Sequence, residues 1–295
     1  MRIIHKIVKS VNANERKAFQ SAGIELQSVG GLPNLIIFEI ANDDPRWKNV
    51  EPLVKEFHAS DMMHTTFSEK ELGSARFLEM GASWHHGYPQ PEEGFGYLKA
   101  TYDLTEFCVA CGIGAKQNAP FRMKKTPNWG RRSILQLNWV FDEYFVKPDI
   151  WKSVFKPFEI GCKPVLLDKT EAEMESVVQL ENPITVDLQM GDRPYGFDEC
   201  SKCGRRKYLP GITGFFPAPA ATNAALFRSS QYFGSGASAH NAVLVSSTLY
   251  RTIKDAEVKG VEFQPCVNLD DPAQERIDLP ALSPNVSVPD RKHTH

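Results

Sequence analysis

Four cysteines carry the clearest chemistry in the sequence. They fall in two copies of one pattern, Cys108-Val109-Ala110-Cys111-Gly112 and Cys200-Ser201-Lys202-Cys203-Gly204. Two thiolates spaced Cys-x-x-Cys hold one side of a tetrahedral metal, and two such turns complete a four-sulfur site. Glycine directly after the second cysteine suits a chain that doubles back beneath a metal, because it adopts positive φ without steric cost. Cys108, Cys111, Cys200 and Cys203 are therefore the expected metal ligands. Zinc is the default ion, and iron uses the same four-thiolate set. Protein sulfur then fills all four positions and leaves none for water, so the metal is expected to be structural and not catalytic.

The competing reading is two separate redox or disulfide motifs. A thioredoxin-type Cys-x-x-Cys opens a helix, and glycine right after the second cysteine continues a helix poorly. The separation is unusual: 88 residues lie between Cys111 and Cys200, against about 15–20 in compact zinc ribbons. Loop-closure cost grows only logarithmically with length, so a long insertion costs little more than a short one. Cys162 and Cys266 stand alone and read as core or surface thiols.

Other reactive side chains give weaker signals. Lys202, Arg205, Arg206 and Lys207 decorate the second turn and suit phosphates or an acidic partner protein. The blander reading is a solvated face beside an anionic metal–thiolate cluster. Arg131-Arg132 and Lys124-Lys125 read the same way. His85-His86 lack a Cys, Asp or Glu at ligand spacing and read as part of a connector. Gly234-Ser235-Gly236 has no following Lys-Ser/Thr and reads as a turn, not a phosphate loop. Trp139, Phe141, Tyr144, Phe145, Trp151, Phe155 and Phe158 read as core, and any exposed part would mark a partner surface. No Gly-x-Ser-x-Gly, paired-His metalloprotease or kinase pattern occurs, so the expectation leans away from an enzyme and no catalytic residue is assigned.

The elements that must position the cysteines follow from periodicity. Residues 2–9, 24–29, 35–40 and 62–67 read as strands. Helices from Asn12 or Asn14 to Gly23, and from Asp44 onward through Trp47, Val50, Val54 and Phe57, lie between them. The order βαββαβ matches a ferredoxin-like subdomain, with Ile4, Phe19, Ile36, Phe38, Val54 and Phe57 inside. Ser68 to Glu71 forms a capping box opening a helix through Leu72, Ala75, Leu78 and Met80. A Pro- and aromatic-rich connector places a boundary near residues 88–96.

Beyond it, Tyr97 to Tyr102, Ala119 to Lys125, Ile134 to Trp139, Lys163 to Leu167, Val177 to Leu180, Thr185 to Leu188, Val243 to Val245 and Val261 to Phe263 read as extended. Asp142 to Phe145, Pro148 to Phe155 and the stretch from Ser246 or Ser247 through Lys254 read as helical. The fold class is α+β: residues 1–90 ferredoxin-like, 97–266 a mixed α/β region stapled by the four cysteines, and 267–295 an extended or mobile tail. With 295 residues and a formal net charge of −2, the chain has no chain-wide nucleic-acid footprint. No apolar run approaches a membrane span, and no export signal is evident, so a reducing cytoplasm is expected.

The two Cys-x-x-Cys-Gly motifs, with the stretch Val243-Leu244-Val245-Ser246 and the ending Gly260-Val261-Glu262-Phe263-Gln264-Pro265, resemble the bacterial double-CXXCG motif proteins. The resemblance covers about residues 97–266. It implies a metal-binding protein, and several members of that family are implicated as immunity proteins against toxins. The function expected is a non-catalytic, zinc-stabilised protein that binds another protein, such as a cognate toxin, with Trp151, Tyr144 and Arg206 as candidate anchors. The alternative is a nucleic-acid-associated zinc protein using the basic turn Lys202–Lys207.

Overall fold

A computed structural model describes residues 1–26, 31–190, 196–209 and 214–267. The expected tail from residue 268 lies outside the described residues, as do residues 27–30, 191–195 and 210–213. The architecture is α+β, with sheets dominant and short helices.

The N-terminal layer is a three-stranded antiparallel sheet, β1 (Arg2–Ser10), β2 (Leu35–Ala41) and β3 (Ser60–Thr66), in the order β2-β1-β3. Helices α1 (Ala13–Ser21) and α2 (Trp47–Glu56) connect the strands. Asn12 caps α1 by accepting from the backbone N–H groups of Asn14 and Glu15, and Glu15 returns a bond to the Asn12 N–H, a reciprocal capping box. Phe19, Ile36, Phe38 and Val54 are buried in this layer's own core with Ile7, Val11, Ile24, Ile40 and Val50.

Two expectations change here. Ile4 is only half-buried, because Ile3, His5 and Ile7 take the inward parity of β1, and a strand alternates faces. Ile24 is not in a strand. Gly23 has φ 86°, its N–H donates to Gln20, and the Ile24 N–H donates to Phe19. That pair of bonds closes a helix as a Schellman motif, with the residue after glycine packed back on the last turn. Residues 27–29 of the expected strand lie outside the described residues. The described order is βαβαβ, one strand short of the ferredoxin-like arrangement.

Ser68 does open a helix, α3 (Glu69–Ser74), by accepting from the Glu71 N–H. The helix stops short of Leu78 and Met80, which lie in β4 (Phe77–Ala82). Leu78 and Met80 face one core and Phe77 faces another, so this strand is buried on both sides and shows no amphipathic alternation. It pairs with two strands far along the chain, His240–Ser246 and Val261–Val267. A boundary at residues 88–96 thus cuts through this sheet.

A short helix follows, α4 (Tyr97–Thr101), where a strand was expected; Tyr97 and Thr101, four residues apart, are its buried pair. Then come β5 (Tyr102–Asp103), β6 (Lys116–Gln117), β7 (Arg122–Met123), β8 (Ile134–Leu137) and β9 (Val140–Val146). Asp142 to Phe145 is strand, not helix. Tyr144 and Val146 face the core shared with β4, while Phe145 faces a second core. Next are α5 (Pro148–Ile150), running into a π-helical turn at Trp151–Phe155, then β10 (Cys162–Leu167) and β11 (Glu173–Leu180). Strands β7-β10-β11-β9-β8 form a five-stranded sheet.

The remaining elements are β12 (Thr185–Val186), β13 (Phe197–Glu199), β14 (Arg206–Tyr208), β15 (Phe216–Pro217), β16 (Leu226–Phe233), β17 (His240–Ser246), α6 (Ser247–Asp255) and β18 (Val261–Val267). Ser246 caps α6 through the Leu249 N–H. With β4 they build an eight-stranded sheet in the order β13-β14-β16-β17-β4-β18-β15, with β12 beside β16. The largest core joins this sheet to the five-stranded one through Leu78, Met80, Tyr144, Val146, Val245 and Leu249.

Candidate metal centre

The first cysteine turn lies between β5 and β6, and the second between β13 and β14. Both turns are built alike. In the first, the Cys108 N–H donates to Ile113 (2.8 Å) and the Gly112 N–H to Cys108 (2.8 Å); in the second, the Cys200 N–H donates to Arg205 (3.0 Å) and the Gly204 N–H to Cys200 (2.8 Å). Gly112 and Gly204 have φ 80° and 70°, as the doubling back requires.

The fold brings the two turns together. Cys108 Sγ lies 3.8 Å from Cys200 Sγ, and Cys111 Sγ lies 3.7 Å from Cys203 Sγ. All four sulfurs fall within 4.8 Å of one another. A disulfide needs about 2.05 Å, so neither cross-pair is bonded. A metal with four sulfurs at about 2.3 Å has tetrahedral edges of about 3.8 Å, and both cross-pair distances match that edge. The donor set and its spacing fit a four-thiolate ion. Cys162 and Cys266 are not in this group.

The electrostatics differ around the ring of sulfurs. The Arg205 guanidinium donates to Cys203 Sγ at 3.3 Å and lowers that thiol to about 6. The Cys111 backbone N–H lowers Cys108. Burial pushes Cys111 up to about 12, and a cation bound beside such a thiol would favour its thiolate.

Sequence reasoning missed the support around the site. Lys207, read as part of a solvated basic face, is 2 % exposed. Its ammonium donates to the carbonyls of Cys111 (3.1 Å), Ser238 (3.1 Å) and Gly236. It therefore pins the β16–β17 loop under the first turn. That loop also sits against Gly112, where an added Cβ would lie 2.4 Å from the Ala237 carbonyl oxygen. Gly234-Ser235-Gly236 is indeed a turn, but a turn that buttresses a cysteine. Arg205 reaches across to the Glu106 carbonyl at 2.8 Å, and Arg206 pairs with Glu199 at 3.3 Å and lies over the Phe197 ring.

The other singled-out residues lie elsewhere. His85 bridges Gln136 beside β8, and His86 contacts the Lys125 carbonyl. Tyr144 is buried, its hydroxyl donating to Met80, so it does not serve as a surface anchor. The Trp151 indole donates to Ile160 at 2.9 Å and packs on the shared core. Of the aromatic set, Trp139 and Phe141 are the exposed pair, at 37 % and 40 %. Among the described residues no helix is long and apolar enough to cross a membrane. No protein-family model matches the chain, and no curated protein or solved structure matches it either.

Proposed function

We propose that Cys108, Cys111, Cys200 and Cys203 bind one structural zinc ion, and that the protein so stabilised acts by binding another protein. The observation that carries the metal assignment is the pair of sulfur–sulfur distances, 3.8 and 3.7 Å, which match the edges of a zinc–thiolate tetrahedron. Zinc bound there has a full protein shell and would fasten the β13–β14 hairpin to the segment between β5 and β6. Iron would use the same donors.

The partner reading rests on the resemblance of the cysteine motifs and the β17–β18 stretch to the double-CXXCG proteins, which points to neutralisation of a toxin. The basic turn supports a nucleic-acid partner poorly. Lys207 is buried, Arg205 holds Cys203 and Glu106, and Arg206 is paired, which leaves Lys202 as the cation with no partner among the described residues.

Two measurements test these statements separately. Elemental analysis of the purified protein is expected to find about one zinc per chain, as one four-sulfur site requires; a folded, metal-free chain overturns the metal assignment. Co-expression with the product of the adjacent gene is expected to relieve growth arrest and yield a complex. No protection and no complex, alongside turnover that needs a pocket residue, overturns the binding reading in favour of an enzyme.

A further inference from the structure

The turn between β8 and β9 breaks a local rule. Leu137 pairs with Val140, so Asn138 and Trp139 are the two loop residues, and of these only Trp139 has positive φ, at 69°. The second loop position with positive φ is glycine's place in a type II turn. A bulky residue there is strained. A second aromatic, Phe95, also has positive φ, at 56°, in the turn after α3 and β4. The two rings meet: Trp139 lies 4.7 Å from Phe95 and 4.3 Å from Tyr88, centroid to centroid, over the buried Tyr97 at 6.0 Å. Yet Tyr88, Phe95 and Trp139 are 36, 54 and 37 % exposed. Two strained backbone positions thus hold large rings at the surface, where folding alone gains least from them. Such conflicts between local preference and structure concentrate at functional sites.

Charge says what the cluster suits. Neither segment that forms it, Trp84 to Leu98 or Ser133 to Val146, contains a lysine or arginine. Glu92 and Glu93 sit on the Phe95 turn, and their carboxylates make no hydrogen bond or ion pair among the described residues. Asp142 and Glu143, in contrast, are taken up inside by Arg228, at 3.2 and 2.9 Å. Aromatic faces carry negative potential and attract guanidinium and ammonium groups, and adjacent free carboxylates add to it. We infer that the Tyr88–Phe95–Trp139 cluster is a docking surface for a partner protein that inserts an arginine or lysine side chain beside Glu92 and Glu93. This rests on the protein-binding reading above and names the surface and the partner's chemistry.

The test titrates the full metal-loaded chain with an octa-arginine peptide at about 0.15 M salt, where diffuse charge attraction is screened. Trp139→Gly is expected to weaken binding about tenfold or more, as loss of a central aromatic anchor does, while its melting temperature stays close to the parent's because glycine suits the turn. Glu92→Gln/Glu93→Gln is expected to weaken it comparably and carries the test if Trp139→Gly is destabilised. Glu39→Gln/Glu56→Gln, which removes the same charge from the N-terminal layer, is expected to leave binding unchanged. Absence of binding by the parent, equal binding by both surface variants, or an equal loss in the N-terminal variant overturns the proposal. The adjacent gene product separates the two levels. A complex kept by both surface variants defeats this surface and leaves protein binding standing, whereas no complex with the parent defeats the binding reading itself.

Discussion

The two glycines of the cysteine turns look interchangeable in sequence and are not. Both have positive φ, but a Cβ on Gly112 meets the Ala237 carbonyl oxygen at 2.4 Å, while one on Gly204 meets nothing within 4 Å. Gly204→Ala should cost about 1 kcal/mol, the left-handed penalty alone. Gly112→Ala must also push the β16–β17 loop aside and should cost at least about 2 kcal/mol more, a difference that urea unfolding measures. Lys207→Met leaves three carbonyls, the Cys111 one buried, without their donor and should cost about 2 kcal/mol and speed metal loss to a chelator. Lys202→Met, on the exposed side of the same turn, should change stability by less than about 0.5 kcal/mol. Glu79 gives a pH signature. Burial, and then Glu262 on the neighbouring strand, raise its carboxyl from 4.5 to about 7. Between those values the folded chain holds a proton that the unfolded chain has released. Stability from this group is therefore present below about pH 4.5 and is lost as pH rises towards 7. Glu79→Gln should flatten that fall, gaining about 2 kcal/mol relative to the parent between about pH 5 and pH 8, read from unfolding curves at both values.

The β13–β14 hairpin is an edge element, held to the sheet by the short parallel pairing of β14 with β16. Its further tethers are the cysteine cluster and the bonds of Arg205 and Lys207 to the first turn and the β16–β17 loop. Chelation, or Cys203→Ser, should raise amide exchange across residues 196–209 and 104–116 and lower the melting temperature, while β1 and β2 keep their protection because their core is separate. Uniform exchange across all three regions would show that the cluster contributes nothing local. The cysteine pairs were legible because ligand spacing within each turn is a local property. Lys207 was not, because two of its acceptors come from the β16–β17 loop and the third from the first cysteine turn, all distant from it in sequence. Strand β16 escaped notice for a related reason. Its middle is polar, its register with β17 shifts between Arg228 and Tyr232, and Arg228 points inward only because Asp142 and Glu143 await it there. Asp142 to Phe145 lie in β9 yet read as helix, because residues 143–146 are buried in succession, which erases the alternation that identifies strands. Ile24 looked like a strand residue and instead completes a helix cap.

At the scale of the whole molecule, the chain divides by cores rather than by the aromatic connector. Residues 2–66 enclose one core, and β4 crosses into the eight-stranded sheet to lie between β17 and β18. The 88 residues between Cys111 and Cys200 hold the entire five-stranded sheet, β7 to β11. Joined by one ion, that interval becomes a closed ring with a folded sheet inside it. Closing a flexible ring of this length costs about 4 kcal/mol of chain entropy, but a ring whose sheet has already formed arrives with its ends side by side. Ion capture should therefore be a late event in refolding and not a nucleus for it. A stopped-flow experiment that follows tryptophan burial and zinc uptake from a coloured chelator should see burial first, with uptake at low zinc following it. If so, a newly made chain would be compact and nearly complete while still unloaded, and the supply of zinc would decide how long its last hairpin stays open to proteases.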